Sequence, residues 1–211
     1  MEENSNIKFK PFVGKYFGTK DSIFNEKVLV LGESHHNENP EGDLTIITNE
    51  VMQTLIYDYS GQPYERTFTC FEQALAGRVL EQKERERLWE SMIFYNYLQV
   101  LLSQPREKVQ AKHYEGAEAA LNEVVETYKP DKIIVWGKRL YGALPGEGTE
   151  ENLLVQDDET LIWKAVINGE NVKCMRVHHP SSPSGKQWER WHPFYKEFLG
   201  TEYLTNLKNI K

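Results

Sequence analysis

The chain is predicted to be α/β, with a parallel sheet covered by helices on both faces. Three observations predict this class. Short, mostly apolar runs at residues 27–31, 132–136 and 173–177 have the make-up of strands buried on both sides. Segments of helical period separate them, as crossover connections require. Each run ends in a polar loop, and in sheets of this kind ligands bind beyond the carboxyl ends of the strands.

In chain order, residues 1–26 read as an irregular lead-in, with Pro11, Gly14 and Gly18 interrupting Phe9, Phe12, Tyr16 and Phe17. These aromatics are expected to pack the lead-in onto the domain. The strand at 27–31 follows, and residues 27–211 are read as one domain. Ile47, Val51, Leu55 and Tyr59, flanked by Met52 and Ile56, recur at helical spacing, with Asp43 or Thr45 as the cap. Residues 70–90, rich in Glu, Lys and Arg, read as helix. Met92 to Leu98 is strand-like by its aromatic content, with Asn96 as the odd polar residue. Ala117, Leu121, Val124, Val125 and Tyr128 mark a helix closed by Lys129-Pro130. Lys132 to Gly137 is a buried strand, and Gly142 to Gly148 a flexible loop without the Lys-Ser/Thr ending of a P-loop. Residues 161–177 hold two strands around Asn168-Gly169, a hairpin turn signal. Trp188, Trp191, Phe194, Tyr195 and Phe198 mark a closing helix ended by Gly200. Pro193 predicts that this helix starts or kinks there.

Composition narrows the function classes. The chain has 211 residues, 39% apolar and 12% aromatic, enough for one domain with a sizeable core. Its 25 basic and 32 acidic side chains give a formal charge of −7, which disfavours non-specific wrapping of nucleic acid. Basic residues nevertheless gather near the loops, as at Lys138-Arg139, Lys173 with Arg176, and Lys186 with Arg190. Two cysteines, Cys70 and Cys174, without CxxC spacing, point to free thiols. The polar start Met1 to Asn6 lacks the apolar core of a signal peptide, and no run is long enough to span a membrane. A cytoplasmic monomer without membrane partners is expected.

Two loops carry the candidate chemistry. His178-His179-Pro180-Ser181-Ser182-Pro183-Ser184-Gly185 combines imidazoles and hydroxyls on a stiffened turn at a strand exit. Gly32-Glu33-Ser34-His35-His36 leaves the first strand. His178 alternates with His179 along the chain and is expected on the other face. The pairs His35-His36 and His178-His179 lack HxxxH spacing, so no metal is predicted. His113 and His192 have no partner that the sequence names.

In their order along the chain, these features resemble the uracil-DNA glycosylase superfamily. His179 to Ser184 is similar to that family's HPSPLS-type loop, Val135-Trp136-Gly137 to its Leu-Trp-Gly strand, and Gly32-Glu33 to the start of its GEAPG loop. The resemblance spans about residues 27–199 and implies a three-layer α/β/α fold with a central, mostly parallel four-stranded sheet. It also implies cleavage of the N-glycosidic bond of uracil or another damaged base in DNA, single- or double-stranded, without metal or cofactor. Glu33 and His179 would be catalytic. Gly32, Ser34, His35 and Asn96 would line the substrate, and Ser181, Ser182 and Ser184 would grip phosphates. The chain departs from the pattern at Ser34 and His35, where many members place Asp or Asn followed by Pro. It also has Ser182-Pro183 in place of Pro-Leu. Two cysteines exclude the four-cysteine iron–sulfur cluster of some members. The alternatives are a non-catalytic nucleotide or nucleobase binder that keeps the pocket, and a hydrolase of a small N-glycoside or phosphoester.

Overall fold

Residues 28–32 are buried without exception, and this strand (β2, Val28–Gly32) organises the molecule. A computed structural model describes residues 5–36, 42–104 and 107–210. β2 lies between β4 (Ile93–Asn96) and β6 (Lys132–Trp136), parallel to both. β9 (Glu170–Val177) joins β6 in parallel. β2, β6 and β9 match the three apolar runs read from the sequence, β4 falls in the aromatic stretch 92–98, and the four form the centre of the sheet.

The sheet has seven strands, not four. On one edge β1 (Phe12–Val13), from the lead-in, pairs antiparallel with β4. On the other edge β8 (Asp158–Ile167) and β7 (Glu147–Val155) continue antiparallel from β9, giving the order β1-β4-β2-β6-β9-β8-β7. The hairpin between β8 and β9 turns at Asn168 (φ 48°) and Gly169 (φ 82°), the doubly left-handed geometry that an Asn-Gly pair favours. β7 begins within the stretch expected to be a flexible loop, at Glu147 and Gly148, and its mostly exposed residues show no apolar alternation. A further pair, β3 (His35–His36) and β5 (Leu101–Leu102), forms a small parallel ladder of its own.

Two apolar layers cover the sheet. One packs Val28, Val30, Phe94, Ile134, Trp136, Met175 and Val177 against α1 (Ile47–Tyr57), α2 (Glu65–Ala76), α3 (Gln82–Trp89), α6 (Trp188–Leu199) and α7 (Glu202–Lys208). The other packs Leu29, Leu31, Tyr95, Ile133, Val135 and Cys174 against α4 (Ala117–Tyr128) and α5 (Lys138–Tyr141). Alternate residues of each strand thus serve opposite layers. Burying a large apolar side chain is worth about 1.5–3 kcal/mol, so these two layers carry the fold.

Several helix boundaries differ from expectation. Residues 70–90 form two helices, because Gly77 turns left-handed (φ 72°) and Glu81 with Glu84 builds a capping box for α3. Asp43 caps a 3-10 turn, Leu44–Ile46, through the Thr45 N–H at 2.9 Å, and α1 continues from it. α6 runs through Pro193 rather than starting there, and α7 follows Gly200 unanticipated. In the lead-in, Phe9, Phe12, Ile23 and Phe24 are buried, and the Gln99 side chain accepts the N–H groups of Lys8 and Phe9. Among the described residues no helix is long and apolar enough to cross a membrane.

Candidate active site

The carboxyl ends of β2, β4, β6 and β9 lie side by side, so their exit loops meet at one edge of the sheet. Gly32 closes β2 opposite Asn96 at the end of β4. A Cβ on Gly32 would fall 2.2 Å from Asn96 Oδ1, so only glycine lets this amide approach. Asn96 is buried, and its Nδ2 lies 3.3 Å from Nδ1 and 3.2 Å from Nε2 of His35. His35 Nε2 also meets Thr48 Oγ1 at 2.9 Å, and the Phe9 ring stands edge-on to the imidazole at 5.4 Å. Burial, helped by the neighbouring His36, pushes the His35 pKa down to about 4, so this ring is neutral at physiological pH. Asn96, His35 and Thr48 form a closed polar chain within the apolar body.

Glu33 and His179 belong to a second, more open group. Glu33 Oε1 accepts from Tyr114 Oη at 2.9 Å and from Arg139 Nε at 2.8 Å, while Oε2 is paired with Arg139 Nη2. Burial favours the neutral acid, but the hydrogen bonds from Arg139 and Tyr114, with the charge of Arg139 and that of His179 when it is protonated, outweigh it. The carboxyl pKa is held below its ordinary value. A carboxylate offers about four acceptor directions, and three are occupied here. The remaining one, on Oε2, is free to hold a water or a substrate hydroxyl.

His179 lies against Trp136, ring centroids 6.1 Å apart. Its Nδ1 accepts the Ser181 N–H at 3.3 Å and lies 2.9 Å from Ser181 Oγ. A backbone N–H can only donate, so Nδ1 is the bare nitrogen and Nε2 carries the proton. Burial lowers the His179 pKa, the Glu33 charge opposes this, and His36 adds to the lowering. The net effect is a neutral ring with one N–H donor. Glu33, His36 and His179 are therefore close enough to act on one another electrostatically. Ser34 Oγ meets His36 Nε2 at 3.3 Å on the solvent side.

The other predicted loop residues have mostly structural contacts. Ser182 Oγ accepts the Gly185 N–H at 3.0 Å, and the Ser184 carbonyl accepts from Trp191 Nε1 at 2.9 Å. The Ser181 side chain is exposed. His178 stacks 5.4 Å from Trp191, turned to a different neighbour from His179. His192 lies with Nδ1 3.1 Å from the carbonyls of both Ala74 and Leu75, at the end of α2. His113 Nδ1 accepts the Gln110 N–H at 3.3 Å. Among the described residues no group of three or more His, Cys, Asp or Glu side chains could hold a metal.

Sequence reasoning missed Arg139, Tyr114 and Thr48. Arg139 stands two positions after Val135-Trp136-Gly137, and that proximity to a strand exit was a usable signal. Tyr114 comes from a 3-10 turn, Ala111–Tyr114, and Thr48 from α1, neither of which carries a motif.

The fold and this loop cluster define a three-layer mixed α/β protein with a candidate site at the carboxyl edge of its parallel strands. No family model matches the chain, and no curated protein sequence matches it.

Proposed function

We propose that this chain is a divergent relative of the uracil-DNA glycosylase superfamily that hydrolyses the N-glycosidic bond of uracil or another damaged base in DNA. One observation carries the reading: Glu33, held by Arg139 and Tyr114, and His179, whose Nδ1 accepts the Ser181 N–H so that Nε2 carries the proton, leave parallel strands at the same edge of the sheet. Breaking the C1′–N bond leaves its electron pair on the base and positive charge on the sugar. His179 Nε2–H donates to the developing base oxyanion, which stabilises the transition state more than the ground state. Glu33 stabilises the cationic sugar and orients water through its free Oε2 direction. Water adds to C1′, and its proton passes to the departing base or to solvent. With its pKa lowered, Glu33 is a weak base, so its contribution is electrostatic and positional.

The test is single-turnover cleavage of uracil-containing single-stranded and duplex oligonucleotides, with alkali to reveal abasic sites. Wild type should cleave, and Glu33→Gln and His179→Ala should each be slower by about a hundredfold or more. No cleavage by wild type at high enzyme refutes the reading. The Arg139 and Tyr114 clamp on Glu33 favours a second reading, a nucleotide or nucleobase binder that does not cut. That reading predicts binding of a uracil strand without abasic sites, and equal binding by Glu33→Gln.

A further inference from the structure

We propose that Lys138, Arg176, Tyr141 and His178 form a phosphate-binding subsite beside Glu33 and His179. This rests on the nucleic-acid reading above and extends it to the recognition of a phosphate next to the reacting nucleotide. The backbone places these groups together. Val135 pairs with Arg176 across β6 and β9, and the Gly137 N–H donates to the Val177 carbonyl at 2.9 Å. Lys138 and His178 therefore leave the sheet from adjacent strand ends. Arg139, next along α5, holds Glu33. The subsite and the candidate active site share one short helix.

Charge at this corner is lopsided for an acidic protein. Lys138, Arg190 and Arg176 act on His178 against Asp158, and Glu150 stands beside Tyr141, while the chain as a whole carries −7. Burial, and then these three cations, hold His178 below the ordinary imidazole range. Asp158 is already taken by Arg190, through hydrogen bonds at 2.5 and 2.9 Å. Lys138 and Arg176 have no ion-pair partner among the described residues.

Unused donors point the same way. The Arg176 guanidinium lies 6.0 Å from the Tyr141 ring, and its buried Nε has no hydrogen-bond partner among the described residues. Tyr141 is 8% exposed, and its hydroxyl has the Glu150 carboxylate beside it as a competing acceptor, which an arriving phosphate would displace. A buried donor left unpaired is destabilising, and an anion here would pair the Arg176 Nε. Phosphate suits the set, since guanidinium, ammonium and hydroxyl donors each match its oxygens.

The test measures binding of a short thymine-only single strand and of thymidine 5′-monophosphate, at several salt concentrations, by wild type, Lys138→Ala, Arg176→Gln and Arg176→Lys. Lys83→Ala, at an exposed position of α3, is the charge control. Neither probe can be cleaved as uracil, so the result does not depend on turnover. Lys138→Ala and Arg176→Gln should each weaken strand binding roughly tenfold at low salt. Each should also lower the salt slope by about 0.7, the value for one phosphate of a single strand. Arg176→Lys should keep most of the slope, and Lys83→Ala should match wild type. Loss of monophosphate binding with strand affinity intact assigns the site to a terminal phosphate instead of a phosphodiester. Variants that bind both probes like wild type overturn the proposal, as does a wild type that binds neither. Wild-type binding without uracil cleavage refutes the glycosidic reading alone. Cleavage with unaltered variant slopes refutes this one alone.

Discussion

Gly32→Ala tests whether the end of β2 is built around Asn96. A methyl at Gly32 would lie 2.2 Å from Asn96 Oδ1 and 3.2 Å from Phe94 Cζ. Asn96 cannot swing aside cheaply, because it is 6% exposed and its amide nitrogen contacts the buried His35 ring. Overpacking costs about 1–3 kcal/mol and a broken buried hydrogen bond a comparable amount, so the substitution should cost about 2–4 kcal/mol. For a chain of this size each kcal/mol lowers Tm by about 2–4 °C, giving a drop of about 4–16 °C. Asn96→Ala removes the obstructing oxygen. In that background Gly32→Ala should cost less than about 1 kcal/mol, from the Phe94 contact alone. The assay is a double-mutant cycle by urea denaturation, with Tm as a check. Additive costs would refute the reasoning, because they would mean that the methyl meets something other than Asn96.

Gly77→Ala should destabilise by more than about 2 kcal/mol, because it combines a left-handed backbone (φ 72°) with the His192 ring 2.7–3.0 Å from the new Cβ. Urea denaturation reads it, and a cost below 1 kcal/mol would contradict the packing. Glu72 is buried with Arg85 Nε at 3.0–3.1 Å and Trp89 Nε1 at 2.8 Å, so Glu72→Leu should cost about 3–5 kcal/mol by stranding a buried guanidinium. The double variant with Arg85→Leu should recover most of that loss. Stability should also fall on acidification. The native His35 pKa of about 4 lies below its unfolded value of 6.5, so between these the unfolded chain binds a proton that the native chain refuses. The contribution is fully present above pH 6.5 and lost by pH 4, on the order of 3 kcal/mol in all, and His35→Gln should flatten the profile. Arg139→Met should raise the Glu33 pKa and move the acid limb of the cleavage or binding profile to higher pH.

What the sequence revealed followed burial. β2 and β6 were legible because strands covered on both faces are apolar almost throughout, β4 by its aromatic residues, and β9 by its alternation of buried and exposed positions. Asn168-Gly169 was legible because its turn demands two left-handed residues. β7 was not, since an exposed edge strand needs no apolar pattern: Glu147, Glu150 and Glu151 are all exposed. Pro193 does not start α6 as one of the two readings has it, because aromatic packing by Trp191, Phe194, Tyr195 and Phe198 holds the helix across a missing N–H. At the site, residues adjacent to strand exits were visible, whereas Tyr114 and Thr48 arrive from distant segments. Only tertiary structure brings them to Glu33 and His35.

The same desolvation acts on the two central groups with opposite chemical consequences. Burial opposes charge on both, pushing Glu33 towards the protonated acid and His179 towards the neutral base. For glycosidic cleavage only the second of these is useful. An ionised imidazole is not needed to donate from Nε2, whereas a neutral carboxyl cannot stabilise a cationic sugar. Arg139 separates the two outcomes: its guanidinium, with Tyr114, restores the charge on Glu33. The Ser181 N–H fixes the His179 tautomer without adding charge. The clamp that weakens Glu33 as a base is thus what keeps it an anion in a buried setting.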